Sequence, residues 1–153
     1  MTDRSTAAIN AWESLFRAQV TVIRELNREF PSDELSFNEY DVLFNLSKQE
    51  GRRLRIRDLN KHLLLTQPSV SRMVDRLVAR GLVSKESDPV DGRGTFVCLT
   101  DKGYSLFRKV AVAHAESITR HVGGALTNDQ LHTLTRLTDA LRASVNGEEK
   151  TRR

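Results

Sequence analysis

The segment from residue 91 to residue 103, DGRGTFVCLTDKG, restricts the fold more than any other part of the chain. Residues 82–86 and 95–100 are each of strand length, and turn-forming residues lie between them: Pro89, Asp91, Gly92 and Gly94. This pattern predicts a β-hairpin with a long tip. Arg93 lies at that tip, and we expect the Asp91 carboxylate to hold its guanidinium through a charge-assisted pair.

Two short helices separated by a tight turn are predicted immediately before the hairpin. The inner face of the first is formed by Ile56, Leu59, Leu63 and Leu64. The second is expected to span residues 67–80, with Thr66 as its N-cap and Gly81 as its end. One side of it is apolar: Val70, Met73, Val74, Leu77 and Val78. The other side carries Pro68, Ser69, Arg72, Asp75, Arg76 and Ala79.

Two helices followed by a hairpin form a winged helix-turn-helix, which places one helix in the major groove of DNA and the wing against the adjacent minor groove or backbone. Small residues and arginines suit the groove-facing side, because small side chains allow close approach and arginines reach guanine edges or phosphates. The predicted DNA-binding residues are Gln67, Ser69, Ser71, Arg72, Arg76, Asp91 and Arg93.

Further helices flank this unit, so the predicted fold is mainly α with a small β-hairpin wing. Apolar residues recur at three- and four-residue steps from residue 9 to residue 30, and Pro31 ends that helix. Ser36 with Glu39, and Thr127 with Gln130, form capping boxes that begin two other helices. The buried positions expected after Ser36 are Tyr40, Leu43, Phe44 and Leu46. A stripe of mainly apolar residues at helical spacing between residues 104 and 118 predicts another helix.

The chain therefore divides into four parts. We expect an N-terminal dimerisation helix at 1–34, the winged helix-turn-helix at 35–103, C-terminal dimerisation helices at 104–146 and a flexible tail at 147–153. The apolar faces of the flanking helices are wider than one small core needs, so we favour a two-fold dimer interface. Packing of these helices on the winged helix of the same chain is the alternative.

Composition is compatible with nucleic-acid binding but does not establish it. The net charge is +4, with 24 Lys and Arg interspersed among 20 acids. No run of 18 apolar residues and no secretory signal is seen, and the single cysteine, Cys98, fits a reducing interior, so we expect a cytoplasmic protein without membrane contact. Nucleophile elbows and phosphate-binding loops are absent from the sequence, which predicts no enzyme. We expect no cofactor and no metal, and we favour a surface or interface role for the four histidines.

The unit LRIRDLNKHLLLTQPSVSRMVDRLVARGLVSK and the wing DGRGTFVCLTDKG resemble the multiple-antibiotic-resistance regulator (MarR) family over roughly residues 35–103. The wing pattern of the family is matched by Asp91, Arg93, Leu99, Thr100 and Gly103. The resemblance implies a homodimeric transcription factor, usually a repressor, that binds a palindromic operator and is released by a small, often aromatic or phenolic, anion.

The resemblance also implies a place for an effector. Some members of the family use a tryptophan of the first helix, an acid and arginines, and Trp12, Asp41 and Arg76 are similar in type and approximate place. Core packing of Trp12 and a solvated role for Asp41 are the plainer readings. Cys98 as an oxidant sensor is disfavoured, because it has no resolving cysteine. The alternative to a DNA-binding regulator is a winged-helix dimer that acts as a protein-interaction or anti-activator module without specific DNA binding.

Overall fold

The computed structural model describes residues 2–63 and 67–151. The helices are α1 (Asp3–Glu29), α2 (Phe37–Ser47), α3 (Ile56–His62), α4 (Gln67–Ala79), α5 (Asp101–Ile118) and α6 (Asn128–Thr151). The strands are β1 (Arg53–Arg55), β2 (Val83–Ser87) and β3 (Thr95–Leu99). The mainly helical fold with a small wing is as predicted from the sequence, and Thr66 and Leu64 lie outside the described residues.

Helix α2 begins as its sequence predicts. The Ser36 hydroxyl accepts a hydrogen bond from the Glu39 backbone N–H at 3.1 Å, and the Glu39 carboxylate accepts one from the Ser36 N–H at 2.9 Å. Tyr40, Leu43 and Leu46 are buried as expected, but Phe44 is 38% exposed, so its predicted burial is wrong. Val42 takes the interior position instead, because the buried side of α2 runs through residues 42, 43 and 46.

The three strands form one antiparallel sheet in the order β1-β3-β2. Strands β2 and β3 make the predicted hairpin, with Val83 opposite Leu99 and Ser87 opposite Thr95. Strand β1 was not predicted; it pairs with the other edge of β3, with Arg53 opposite Cys98 and Arg55 opposite Phe96. The wing is therefore a hairpin attached to a third strand that directly precedes α3.

The described residues divide into two compact units, one within residues 29–115 and the other within residues 1–28 and 116–153. The unit 29–115 contains α2 to α4, the sheet and most of α5, around one apolar core. Fully buried residues come from α2, α3, α4, β3 and the turn before β2: Leu43, Leu46, Leu59, Val70, Val74, Leu77, Leu82 and Val97. Val78 was also predicted to face inward, but it is 37% exposed, so that assignment is wrong. Residues 70, 74 and 77 already fill the inner face of α4.

The unit of residues 1–28 and 116–153 contains α1 and α6. Helix α6 begins with the predicted capping box, in which Thr127 and Gln130 exchange hydrogen bonds of 2.9 and 3.3 Å. It runs to Thr151, beyond the point near Gly147 where the sequence predicted fraying. Large apolar side chains are exposed along both helices: Ile9, Trp12, Phe16, Ile23, Leu134, Leu137, Leu141 and Val145.

Among residues 2–63 and 67–151, no helix is both long enough and apolar enough to cross a membrane.

Candidate nucleic-acid interface

Helix α4 presents a polar face opposite its buried one. Arg72 and Arg76 are exposed and lie one turn apart, while Ser69 and Ser71 are half-buried beside them. Buried Val70, Met73, Val74 and Leu77 fix the rotation of the helix, so its polar face points away from the core. The structure thus brings together the predicted serines and arginines of α4, whereas the side chain of Gln67 lies outside what is described.

The acid on this face, Asp75, is held by an ion pair. Its Oδ1 lies 2.5 Å from Nζ of Lys85 on β2, and both side chains are partly exposed. Arg72, Arg76 and the wing residue Arg93 form no ion pair with any carboxylate whose position the structure describes. Three guanidinium groups are therefore available to an anionic ligand, and Lys85, which the sequence analysis missed, reduces the repulsion that Asp75 would exert on such a ligand.

The C-terminus of α4 is shaped by Gly81, as predicted. Gly81 has a φ of +71°, and its N–H bonds the carbonyl of Val78 at 2.9 Å while the N–H of Leu82 bonds the carbonyl of Leu77 at 3.0 Å. This pattern is a Schellman motif, which a left-handed glycine accommodates without strain. The chain consequently turns directly from α4 into β2.

Thr100 and Gly103 connect the wing to that turn. The Thr100 hydroxyl donates to the Gly81 carbonyl at 2.7 Å and accepts from the Gly103 N–H at 3.0 Å, which caps α5. A Cβ atom on Gly103 would lie 2.0 Å from the Leu82 carbonyl oxygen, so only glycine fits there. The Thr-x-x-Gly sequence therefore fixes the start of α5 against the end of α4.

The wing tip carries exposed Arg93, but Asp91 does not hold its guanidinium. Instead, Oδ1 of Asp91 accepts a hydrogen bond from the backbone N–H of Arg93 at 3.1 Å, and the Asp91 carbonyl accepts one from the Gly94 N–H at 2.8 Å. The predicted charge-assisted pair is thus replaced by a turn in which the carboxylate binds backbone. The turn, and not an ion pair, therefore sets the direction of the Arg93 side chain.

Asp88 is the wing residue that sequence reasoning missed, because it reads as one more turn former. It is only 3% exposed, and its Oδ2 lies 2.5 Å from Nη2 of Arg55 on β1. The hydrogen bond from the Val90 backbone N–H, helped by the charges of Arg55 and Arg57, lowers the pKa of this carboxyl despite its burial. Asp88 is therefore an anion at neutral pH.

The predicted effector residues are divided between the two units. Trp12 belongs to α1 and is 62% exposed, with its ring 5.9 Å from that of Phe16. Asp41 lies on α2, where Asn45 donates to its Oδ1 at 3.2 Å. Burial raises the pKa of Asp41, while the hydrogen bond from Asn45 and the nearby His62 oppose that shift. An effector site that contains Trp12, Asp41 and Arg76 stays a prediction.

Cys98 lies on the face of the sheet opposite the core, since its neighbours in the strand, Val97 and Leu99, are buried and Cys98 is only partly buried. Burial, together with the charge of Glu86, raises the pKa of its thiol. Since the thiolate is the reactive form, this environment does not favour oxidant sensing.

Comparison with known proteins places this architecture in a family. A sequence model of the MarR family matches residues 33–94. The chain is similar to YkoM of Bacillus subtilis, an uncharacterised HTH-type transcriptional regulator, with 31% identity over 80% of this chain and 79% of the relative.

Solved structures extend the similarity to nearly the whole chain. AbsC, a MarR family transcriptional regulator from Streptomyces coelicolor, superposes with a TM-score of 0.75 and 28% identity over 96% of this chain and 97% of AbsC. A second MarR family regulator from the same organism, solved in complex with DNA, has a TM-score of 0.74 and 29% identity over 94% and 89% of the two chains. These relatives are transcriptional regulators, which agrees with the expectation that the protein is not an enzyme. The chain belongs to the MarR family of winged-helix transcriptional regulators.

Proposed function

We propose that this regulator is a cytoplasmic homodimer that binds a pseudo-palindromic operator in double-stranded DNA and represses transcription until a small effector releases it. The observation that carries the DNA-binding part is the polar face of α4, where Arg72 and Arg76 are exposed without a described carboxylate partner. In this proposal α4 lies in the major groove. Ser69, Ser71 and the side chain of Gln67 would lie near bases and phosphates together with the two arginines.

The wing supplies the second contact. Arg93 is exposed at the tip of the hairpin. In this proposal the tip lies beside the DNA backbone or in the flanking minor groove, as the family resemblance implies. Asp91 would act on the DNA contact indirectly, by shaping the turn that directs Arg93. Because phosphate contacts supply much of the affinity, binding should weaken steeply as the salt concentration rises.

The exposed apolar faces of α1 and α6 support the dimer. Trp12 and Leu137 are about 60% exposed (62% and 60%), as is Val145 (62%). Such side chains cost free energy in water, at about 25 cal/mol for each Å² of apolar surface left uncovered. A second copy of the chain can cover both faces at once about a two-fold axis. Two α4 helices would then require half-sites roughly 10 base pairs apart.

An effector would release the DNA by changing the distance between the two DNA-binding units of the dimer. A ligand changes that separation only if it binds one arrangement more tightly than the other. Trp12, Asp41 and Arg76 are the residues proposed to contact it, and an aromatic or phenolic anion is the class that the family resemblance implies.

Selection from a pool of random duplexes tests this function. The wild-type chain should enrich two inverted half-sites about 10 base pairs apart. A variant with Arg72, Arg76 and Arg93 all changed to alanine should enrich nothing. The matched control is Arg142→Ala, which removes an exposed arginine of α6 that is paired with Asp139. Failure of the wild-type chain to enrich any sequence would favour the alternative of a protein-interaction module.

A further inference from the structure

The root of the wing contains a buried carboxylate that the proposed DNA contacts do not use. Asp88 follows the last residue of β2 and is 3% exposed, although Pro89, Val90 and Asp91 beside it are exposed. Burial of a charged group is costly unless the group is paired and hydrogen-bonded. The contacts of Asp88 should therefore show which part of the structure its buried carboxylate stabilises.

Asp88 makes contacts in three directions. Its backbone N–H donates to the Gly94 carbonyl at 2.9 Å, which closes the neck of the hairpin. Its Oδ1 accepts the Val90 N–H at 2.9 Å, which sets the direction of the chain as it enters the tip. Its Oδ2 lies 2.5 Å from Nη2 of Arg55. One carboxylate thus connects the tip of the wing to a strand 33 positions earlier in the sequence.

Both partners of this ion pair are held in place by their neighbours. The Arg55 guanidinium lies 5.5 Å from the centre of the Phe96 ring, and Arg55 is paired with Phe96 in the β-sheet register. On the other side, a Cβ atom at Gly94 would lie 3.1 Å from Cβ of Asp88, so the absence of a side chain there allows the close approach. The two side chains are only 29% and 1% exposed, so the pair is shielded from water, unlike an exposed surface ion pair, which typically contributes little.

We propose that Arg55 and Asp88 are positioning residues, which fix the direction of the wing tip and thereby place Arg93 against DNA without contacting DNA themselves. This inference rests on the proposed function. The tip between residues 88 and 94 has no other described link to β1, and beyond the last strand pair, Ser87–Thr95, only the Asp88–Gly94 backbone hydrogen bond continues the pairing of the hairpin. Loss of the Arg55–Asp88 pair would free the tip and leave α4 and the core unchanged.

The test measures DNA affinity and salt dependence by fluorescence anisotropy with a selected operator duplex. Asp88→Ala and Arg55→Met should each weaken binding on the order of tenfold and lower the salt slope by about one, as loss of a single phosphate contact does. Arg55→Lys retains the charge and should recover most of the affinity. The control Asp139→Ala breaks an exposed ion pair on α6 and should bind as the wild type does.

A double variant separates positioning from direct contact. If Asp88 acts through Arg93, then Asp88→Ala/Arg93→Ala should bind within about twofold of Arg93→Ala alone, because the two changes remove the same contact. If the losses of DNA-binding free energy caused by Asp88→Ala and Arg93→Ala were fully additive in the double variant, the proposal would be overturned. Additive losses in Arg55→Met/Arg93→Ala would also overturn it, since they would mean that Arg55 contacts DNA on its own.

Amide hydrogen exchange tests the same proposal without DNA. Asp88→Ala and Arg55→Met should raise the exchange rates of the Val90 and Gly94 amides by about tenfold or more, with no change in the buried part of α4. If Asp88→Ala and Arg55→Met kept the exchange rates and the DNA affinity of the wild type, this inference alone would be overturned. Absence of binding by the wild-type chain to every duplex would instead overturn the proposed function and the part of this inference that concerns DNA.

Discussion

Gly103→Ala should destabilise the protein, although alanine is the better helix former. The added Cβ would lie 2.0 Å from the Leu82 carbonyl oxygen and 2.9 Å from Cδ1 of Leu99, so the start of α5 must move by about an ångström. That movement breaks the hydrogen bond that the Leu82 carbonyl accepts from the Thr100 N–H at 3.2 Å.

The magnitude follows from three contributions. The lost hydrogen bond costs about 1 kcal/mol. Overpacking of a buried site adds about 1–3 kcal/mol. Alanine has a higher helix propensity than glycine, which offsets about 1 kcal/mol of this loss. The net loss in the free energy of unfolding should therefore be about 1–3 kcal/mol, measured by urea denaturation followed by circular dichroism.

Gly147→Ala is the matched control, because Gly147 also lies within a helix and a Cβ there would meet no heavy atom within 4 Å. This change should stabilise the protein by up to about 1 kcal/mol. If Gly103→Ala were as stable as the wild type, the close approach of α5 to Leu82 would be wrong.

Three further predictions concern binding, assembly and pH. Arg93→Ala should weaken binding to operator and nonspecific DNA by similar factors, whereas Arg72→Ala should also reduce the preference for the operator by about tenfold, as measured by competition titration. Leu141→Glu should shift the chain from dimer to monomer in sedimentation equilibrium, because it places a charge on the exposed apolar face of α6. Ala143→Glu, which adds the same charge on the opposite side of that helix, should leave the dimer intact. Burial lowers the pKa of His114 below its ordinary value of 6.5, so the folded protein binds this proton less readily than the unfolded chain. The free energy of unfolding should be insensitive to His114 well above pH 6.5 and should fall as the pH drops below that value. His114→Phe should remove that part of the pH dependence in denaturation series between pH 5 and pH 8.

The environment of His114 explains why the sequence did not reveal its role. Its ring packs edge-on against Phe30, Phe37 and Tyr40 at 5.1–5.6 Å between centroids, and its Nδ1 is buried without a hydrogen-bond partner among the described residues. Phe30 directly follows α1 and the other two rings belong to α2, whereas His114 itself lies on α5. The surface or interface role predicted for His114 is wrong, because this residue is only 6% exposed. The sequence could not show that residue 30 and α2 would pack against this position of α5.

Features set by neighbouring residues were predictable from the sequence. Capping boxes at Ser36 and Thr127, the left-handed Gly81 and the hairpin between β2 and β3 each depend on side chains within a few positions of one another. Local hydrogen bonds determine these features, so the residues that form them can be recognised in the sequence.

Features set by distant residues were missed or assigned wrongly. Strand β1 has only three residues, and its sequence, RLR, carries too little alternation to be distinguished from a loop. The burial of Asp88 depends on Arg55, which is brought beside it only when β1 joins the sheet. The Asp91–Arg93 pair was expected from charge alone, but the turn offers the carboxylate a nearer donor in the Arg93 backbone N–H.

The central claim is that α4 and the wing form one surface that reads DNA. The most direct measurement is an anisotropy titration of the wild-type protein with duplex DNA from upstream of its own gene and with a scrambled duplex, each at two salt concentrations. We expect tighter binding to the upstream duplex and a steep loss of affinity to both duplexes at the higher salt concentration. Binding to neither duplex at low salt would contradict it.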